Sequence, residues 1–392
     1  MSQEADIVQK LKWSLPWLIR YPVWRARQLV DTDANHNGLT HIIFLIANHF
    51  EPGVGKEAKG PVDRWYKLAW RNGRLLQDHD GTFFRHTYFF PAEQYDPASI
   101  DRLCELQSEG LGEVEVHLHH GVDRPDNAAN TRYLLETFRD TLVQKHGCLS
   151  REDPTAAPKY GFVHGNLALA NSAGGRYCGV DSEMEILAST GCYADFTLPS
   201  APAQSQVPKI NAIYECGHPL HEASPHRSGP DLKVGDQPHL PIIVNGPLVF
   251  DWTRRVRGLP IPRVDDGALA GNYPLTIDRF WRWRSARIGV NGRPDWIFIK
   301  LHCHAFFEQD QEAMIGDEWR SFMTEILELG AATGRFKIHF ASAREVFNII
   351  QAALHGERGD PAQYRDYYLR PIWKEGNLSQ VPARGTSVIR SG

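Results

Sequence analysis

Hydrophobic and polar positions alternate along residues 113–119. Val114, Val116 and Leu118 interleave with Glu113, Glu115, His117 and His119, and a period of two sends the two sets to opposite faces of a strand. Residues 41–47 form an unbroken apolar run, the mark of a strand covered on both faces. Residues 83–90, 160–164, 193–198, 242–244 and 336–340 are further short strand-like runs. Over residues 296–304, Ile297, Ile299, Leu301 and Cys303 face one way and Phe298, Lys300, His302 and His304 the other. Residues 62–77, 100–108, 127–145, 184–189, 277–288, 312–329 and 343–354 read as helices. In the third, Tyr133, Leu134, Phe138, Leu142 and Val143 recur at helical spacing before a stop at Gly147.

This alternation of strands and helices predicts a parallel sheet. Polar residues collect at the C-terminal ends of the predicted strands: His49, Glu51, His119, Asp123, His164, Asp195, Asn245, His302 and His304. In a (β/α) barrel that end carries the active site, because the loops converge there. An open sheet also places ligands at strand ends, but the chain has neither a glycine-rich dinucleotide fingerprint nor a phosphate loop. The pattern therefore predicts one barrel of seven or eight strands over residues 36–356. A helical, aromatic-basic segment precedes it at 1–35, and an extension at 357–392 frays after about residue 377. Residues 199–241 hold eight prolines and four histidines without a clear period. They read as a long loop crossing the barrel mouth, with solvated histidines rather than a defined metal site.

Composition narrows the picture. The net charge of −4 and the lack of a basic stripe argue against nucleic acid as a partner. Six scattered cysteines without a C-x-x-C pair read as reduced thiols. With no signal peptide and no spanning run, the expected location is the cytoplasm. Residues 8–30 mix Trp13, Trp17, Tyr21 and Trp24 with Lys10, Lys12, Arg20, Arg25 and Arg27. Such a mixture suits packing against the barrel or a weak contact with the inner membrane surface, and Pro16 and Pro22 are expected to keep any helical face short.

Imidazoles and carboxylates gathered at strand ends are ligands for a divalent ion, zinc above all. His117 and His119 converge on that end, and Asp123 follows on the loop. An ion held there can polarise a carbonyl, a carboxylate can take a proton from water, and a histidine can protonate a leaving group. This set suits hydrolysis of an amide or ester. Asn166 and Asn245 can hold loops or bind sugar hydroxyls, and Trp281, Trp283 and Trp296 can fill a core or stack on sugar rings. A glycoside hydrolase using paired carboxylates, Glu51 with Asp195, is the alternative enzyme, and a non-catalytic carbohydrate-binding barrel is the third reading.

The strings Ile46-Ala-Asn-His-Phe-Glu-Pro52, Glu113-Val-Glu-Val-His-Leu-His-His120, Phe162-Val-His-Gly-Asn166, Ala194-Asp-Phe-Thr-Leu-Pro-Ser200, Arg293-Pro-Asp-Trp-Ile-Phe-Ile-Lys-Leu-His-Cys-His304 and Ala343-Arg-Glu-Val-Phe-Asn348 resemble the polysaccharide deacetylase (NodB-homology) superfamily of deformed (β/α)7 barrels. Within it they are similar to the WalW-like branch associated with lipopolysaccharide biosynthesis. The resemblance implies a metal-dependent deacetylase acting on a sugar of a cell-surface polysaccharide or its precursor. It implies His49, His117 and His119 as metal ligands, with Asp123 as a fourth, and Glu51 as the base. It also implies His302 as the acid, with His164, Asn166, Asn245, Lys300 and His304 toward the substrate. Two departures stand out. Asn48 and His49 occupy the positions of the family's paired aspartates, and Gly121 falls where its second metal histidine would be.

Overall fold

A computed structural model describes residues 3–30 and 38–373. The predicted fraying after about residue 377 lies outside the described residues. The centre is a nine-stranded, mostly parallel sheet. Its strands are β1 (Thr40–His49), β2 (His86–Pro91), β3 (Gly112–Leu118), β4 (Tyr160–His164), β5 (Cys192–Asp195), β6 (Ala212–Glu215), β7 (Ile242–Asn245), β8 (Trp296–His304) and β9 (Phe336–Phe340). The hydrogen-bonded order is β8-β1-β2-β3-β4-β5-β7-β6, and β9 joins β1 beside its first half. Strand β6, inside the long proline-rich stretch, is the antiparallel member, paired with β7. Its four residues were too few for the alternation to be legible in the sequence.

The helices are α1 (Gln3–Leu18), α2 (Tyr21–Val30), α3 (Lys56–Gly73), α4 (Pro97–Ser108), α5 (Ala128–His146), α6 (Glu183–Thr190), α7 (Ile277–Ser285), α8 (Gln311–Met314), α9 (Asp317–Thr333) and α10 (Ala343–Leu354). Asn127 caps α5 by accepting from the Asn130 N–H, and Gly147 closes it in the left-handed region at φ 65°. Helix α10 starts in a full capping box, Ser342 with Glu345, and all its residues are buried. It lies against one face of the sheet. The Ala343 N–H donates to Thr87 Oγ1, Arg344 pairs with Glu113, and Phe347 packs on Tyr193 at 4.9 Å.

Pro16 sits inside α1 without ending it, and the break falls between α1 and α2. Pro22 lies in the first turn of α2, where its missing N–H costs nothing. Trp17 is buried and stacks on Phe250 at 5.6 Å, and Tyr21 meets the same ring at 4.7 Å. The aromatic side of this segment therefore packs on the body of the protein. No helix among the described residues is long and apolar enough to cross a membrane.

Candidate functional site

Parallel register decides which side chains share a face. His49 lies beside His304, Ala47 beside His302, and Pro91 beside His117. Because β1 and β8 run in step, His49, His302 and His304 point to one side at the C-terminal end of the sheet. The ring centroid of His49 is 4.7 Å from that of His304, 5.2 Å from His117 and 6.2 Å from His302. His117 and His119 follow at 4.6 Å. Five imidazoles from three strand ends thus form one cluster.

Glu51, just past β1, projects its carboxylate into this cluster. Its Oε1 lies 3.2 Å from His117 Nε2, 3.9 Å from His119 Nε2 and 3.9 Å from His49 Nδ1. The far side of each β3 ring is already committed. His117 Nδ1 donates to the Val163 carbonyl at 2.7 Å, and His119 Nδ1 contacts Glu93 Oε1 at 2.6 Å. Those partners hold each Nδ1 and turn each Nε2 toward Glu51, the arrangement that orients metal-binding histidines. Gly165 closes the back of the His119 ring, since a Cβ there would come within 2.4 Å of it.

The electrostatics favour neutral rings at His49 and His304. Burial, followed by the like charges of His304, His117 and His302, holds His49 well below the usual histidine range. Burial, with His302 and His117 adding to it against Glu51, brings His304 down to about 4. Burial raises Glu51, but the hydrogen bond and charge of His117, with His119 and His304, outweigh it and keep the carboxylate ionised. Neutral His49 and His304 beside an ionised Glu51 are in the donor state a divalent ion requires. His49, Glu51 and His304 form one group able to hold an ion, and Glu51, His117 and His119 another.

Other predicted site residues lie elsewhere. Asp123 is exposed on the turn after β3, and the carboxylates that meet the histidines are Glu51 and Glu93. Asp195 is fully buried and accepts from the Thr197 N–H and hydroxyl at 3.1 and 2.7 Å. Burial lifts it to about 6. Lys300, brought down to about 7 by burial, spends its ammonium on the carbonyls of Phe196, at 2.5 Å, and Leu198. Asn245 is buried and donates to the Lys209 carbonyl, so it holds a loop. Asn166 is exposed in the left-handed region at φ 53°. Trp283 and Trp296 belong to the core, while Trp281 stays 37% exposed.

His164 also departs from the open cluster. It sits beside Leu118, one residue past the pairing of Val163 with His117, and so faces the opposite side of the sheet. There it meets His120, Cys178 and Glu183, which together can hold an ion. The sequence reading did not single out those three or Glu93. The run His117-Leu-His-His120 flagged the place, but Cys178 and Glu183 sit at spacings that match no ligand motif.

No protein-family model matches the chain, and neither does any curated protein.

Proposed function

We propose that the protein is a metal-dependent hydrolase that removes an acetyl group from a sugar of a cell-surface polysaccharide or lipopolysaccharide precursor, working at the mouth of a deformed (β/α)7–8 barrel. The observation that supports this reading is the Glu51 carboxylate set among His117, His119 and His49, with His302 and His304 beside it. The donors fit a divalent ion, and nitrogen with carboxylate suits zinc. His117 and His119 would hold it, with His49 adjoining and Glu51 facing them as the base. Bound there, such an ion supplies Lewis acidity toward an acyl carbonyl and acidifies water.

The protein's own groups then have defined tasks. Glu93 and the Val163 carbonyl orient the two β3 rings. Glu51, ionised, accepts a proton. His302, partly exposed at the same opening, gives one to the departing sugar nitrogen or oxygen. Phe307, 52% exposed and stacked on His304 at 5.2 Å, offers an apolar face for a sugar ring. The buried Asp195 presents no surface to a glycosidic bond, so the paired-carboxylate alternative has no observation in its favour. Acetate release from N- and O-acetylated oligosaccharides by zinc-loaded protein tests the reading. Failure to release acetate from any of them, with the ion present, would overturn it.

Location enters the same proposal. Val8, Leu11 and Leu15 are exposed at helical spacing along α1, and Ile19 in the turn after it and Val23 in α2 are exposed too. With Lys10, Lys12, Arg20 and Arg27 on the same segment, this stripe suits a weak contact of a cytoplasmic protein with an anionic membrane surface. Sedimentation with anionic vesicles checks it. Equal recovery of wild type and Leu11→Glu/Leu15→Glu in the pellet would exclude the stripe.

A further inference from the structure

The four residues gathered behind the open cluster come from four separate places. His120 lies just past β3, His164 ends β4, Cys178 sits in the loop after it, and Glu183 opens α6. All four are buried, and one donor atom from each lies within 4.8 Å of all the others. His120 Nε2 is 3.0 Å from His164 Nε2 and 2.8 Å from Glu183 Oε1. His164 Nε2 is 3.3 Å from Glu183 Oε1, and Cys178 Sγ is 3.6 Å from Glu183 Oε2. Tetrahedral donors around zinc stand roughly 3.3–3.6 Å apart, given bond lengths of about 2.0–2.1 Å to nitrogen and 2.3 Å to sulfur.

Each donor also has an outer partner that aims it. His120 Nδ1 meets Asp126 Oδ2 at 2.9 Å and the Thr131 hydroxyl at 3.1 Å. His164 Nδ1 meets the Gly165 carbonyl. The Val180 N–H donates to Cys178 Sγ at 3.4 Å, and the Ala170 N–H donates to Glu183 Oε2 at 2.6 Å. Such outer shells fix ring orientation and raise ligand basicity at metal sites. With both Nδ1 atoms committed, two Nε2 atoms are left facing each other beside a carboxylate and a thiol. One shared cation satisfies all four at once. A shared proton satisfies only the two rings.

Two further features agree. His226 is fully buried, and neither of its ring nitrogens has a hydrogen-bond partner. Two residues before it, the Ser224 N–H donates to the Ala170 carbonyl at 2.8 Å, and the Ala170 N–H in turn donates to Glu183, which ties its segment to the group. The loop between β4 and α6 also holds Leu167, Ala170 and Tyr177 in the left-handed region, at φ 57°, 46° and 63°. Such backbone persists only where the surroundings over-determine it, and no disulfide is present to do so.

We propose that His120, His164, Cys178 and Glu183 bind one zinc ion as a structural centre on the face of the sheet opposite the open cluster. The ion ties the loop and α6 to the end of β4 and to the end of β3, the strand that presents His117 and His119 to the open cluster. The proposal goes beyond the hydrolase reading and stands whether or not the open cluster is catalytic.

The thiolate separates the two sites. The full chain, purified without an affinity tag, should retain zinc after dialysis. X-ray absorption at the zinc edge should then show one sulfur at roughly 2.3 Å. Exchange of zinc for cobalt should give a thiolate-to-cobalt charge-transfer band in the near ultraviolet. Cys178→Ala should abolish that band and lose one ion per chain, whereas His117→Ala should keep it. Wild-type protein whose zinc lacks a sulfur neighbour, or that retains no zinc, overturns the proposal. Both measurements on the wild type need no variant to fold, and neither depends on turnover.

Discussion

His117 and His164 stand on neighbouring strands, yet they face opposite sides of the sheet. His117 pairs in register with Val163, and His164 with Leu118. One residue of offset sends the first imidazole to the open cluster with Glu51 and the second to the buried group with Glu183. The two clusters are therefore back to back, sharing the strand ends that carry them.

On the hydrolase reading, His302 acts only in proton transfer. His302→Ala should keep the ion of the open cluster and lose turnover by roughly 10²–10⁴-fold, the range for one general acid. His117→Ala should lose both. Acetate release together with metal content distinguishes the two, and a His117→Ala protein that keeps its activity and full metal content would remove the open cluster from consideration.

Glu93 holds the His119 ring from behind at 2.6 Å. Outer partners of this kind are worth about 10–100-fold in metal affinity. Glu93→Gln should weaken binding at the open cluster toward the low end of that range and Glu93→Ala toward the high end. Competition with a chelator reads the difference, and equal affinity in all three proteins would mean that the ring needs no such support.

Glu345 predicts an acid limit to stability. Burial raises it, but Arg85, Arg365 and Arg344 outweigh burial and hold it at about 2, against an ordinary 4.5. A carboxyl depressed by folding stabilises the native state above its unfolded value, and that contribution fades as pH falls from about 4.5 toward 2. Melting temperature should drop across that window. Glu345→Gln should be less stable than wild type at neutral pH and should flatten the drop. A wild-type profile with no loss below pH 4.5 would contradict the assignment.

Asp265 and Arg279 are both fully buried and joined by two hydrogen bonds of 2.9 and 3.1 Å, and the Trp283 N–H donates to the same carboxylate. Asp265→Ala leaves a buried guanidinium without its counter-charge, at a cost of about 3–5 kcal/mol. Urea unfolding measures it, and a loss below about 1 kcal/mol would show that the carbonyls of Tyr273 and Ala268 suffice for Arg279.

The periodicity of Val114, Val116 and Leu118, and the unbroken run of β1, determined the strands and the alternation with helices. A period of two is a local property, and apolar faces must be buried whatever the fold. The same local rule placed His117, His302 and His304 on polar faces near strand ends. It could not determine which strands lie side by side, because register is set by pairing between distant segments. That pairing brought Glu51 to His117, committed Lys300 to the carbonyls of Phe196 and Leu198, and turned His164 toward α6. It could not join Cys178 and Glu183 to His120 either, since their closeness depends on how one irregular loop folds back over β3 and β4. Metal ligands need proximity in space, and only the tertiary structure supplies it.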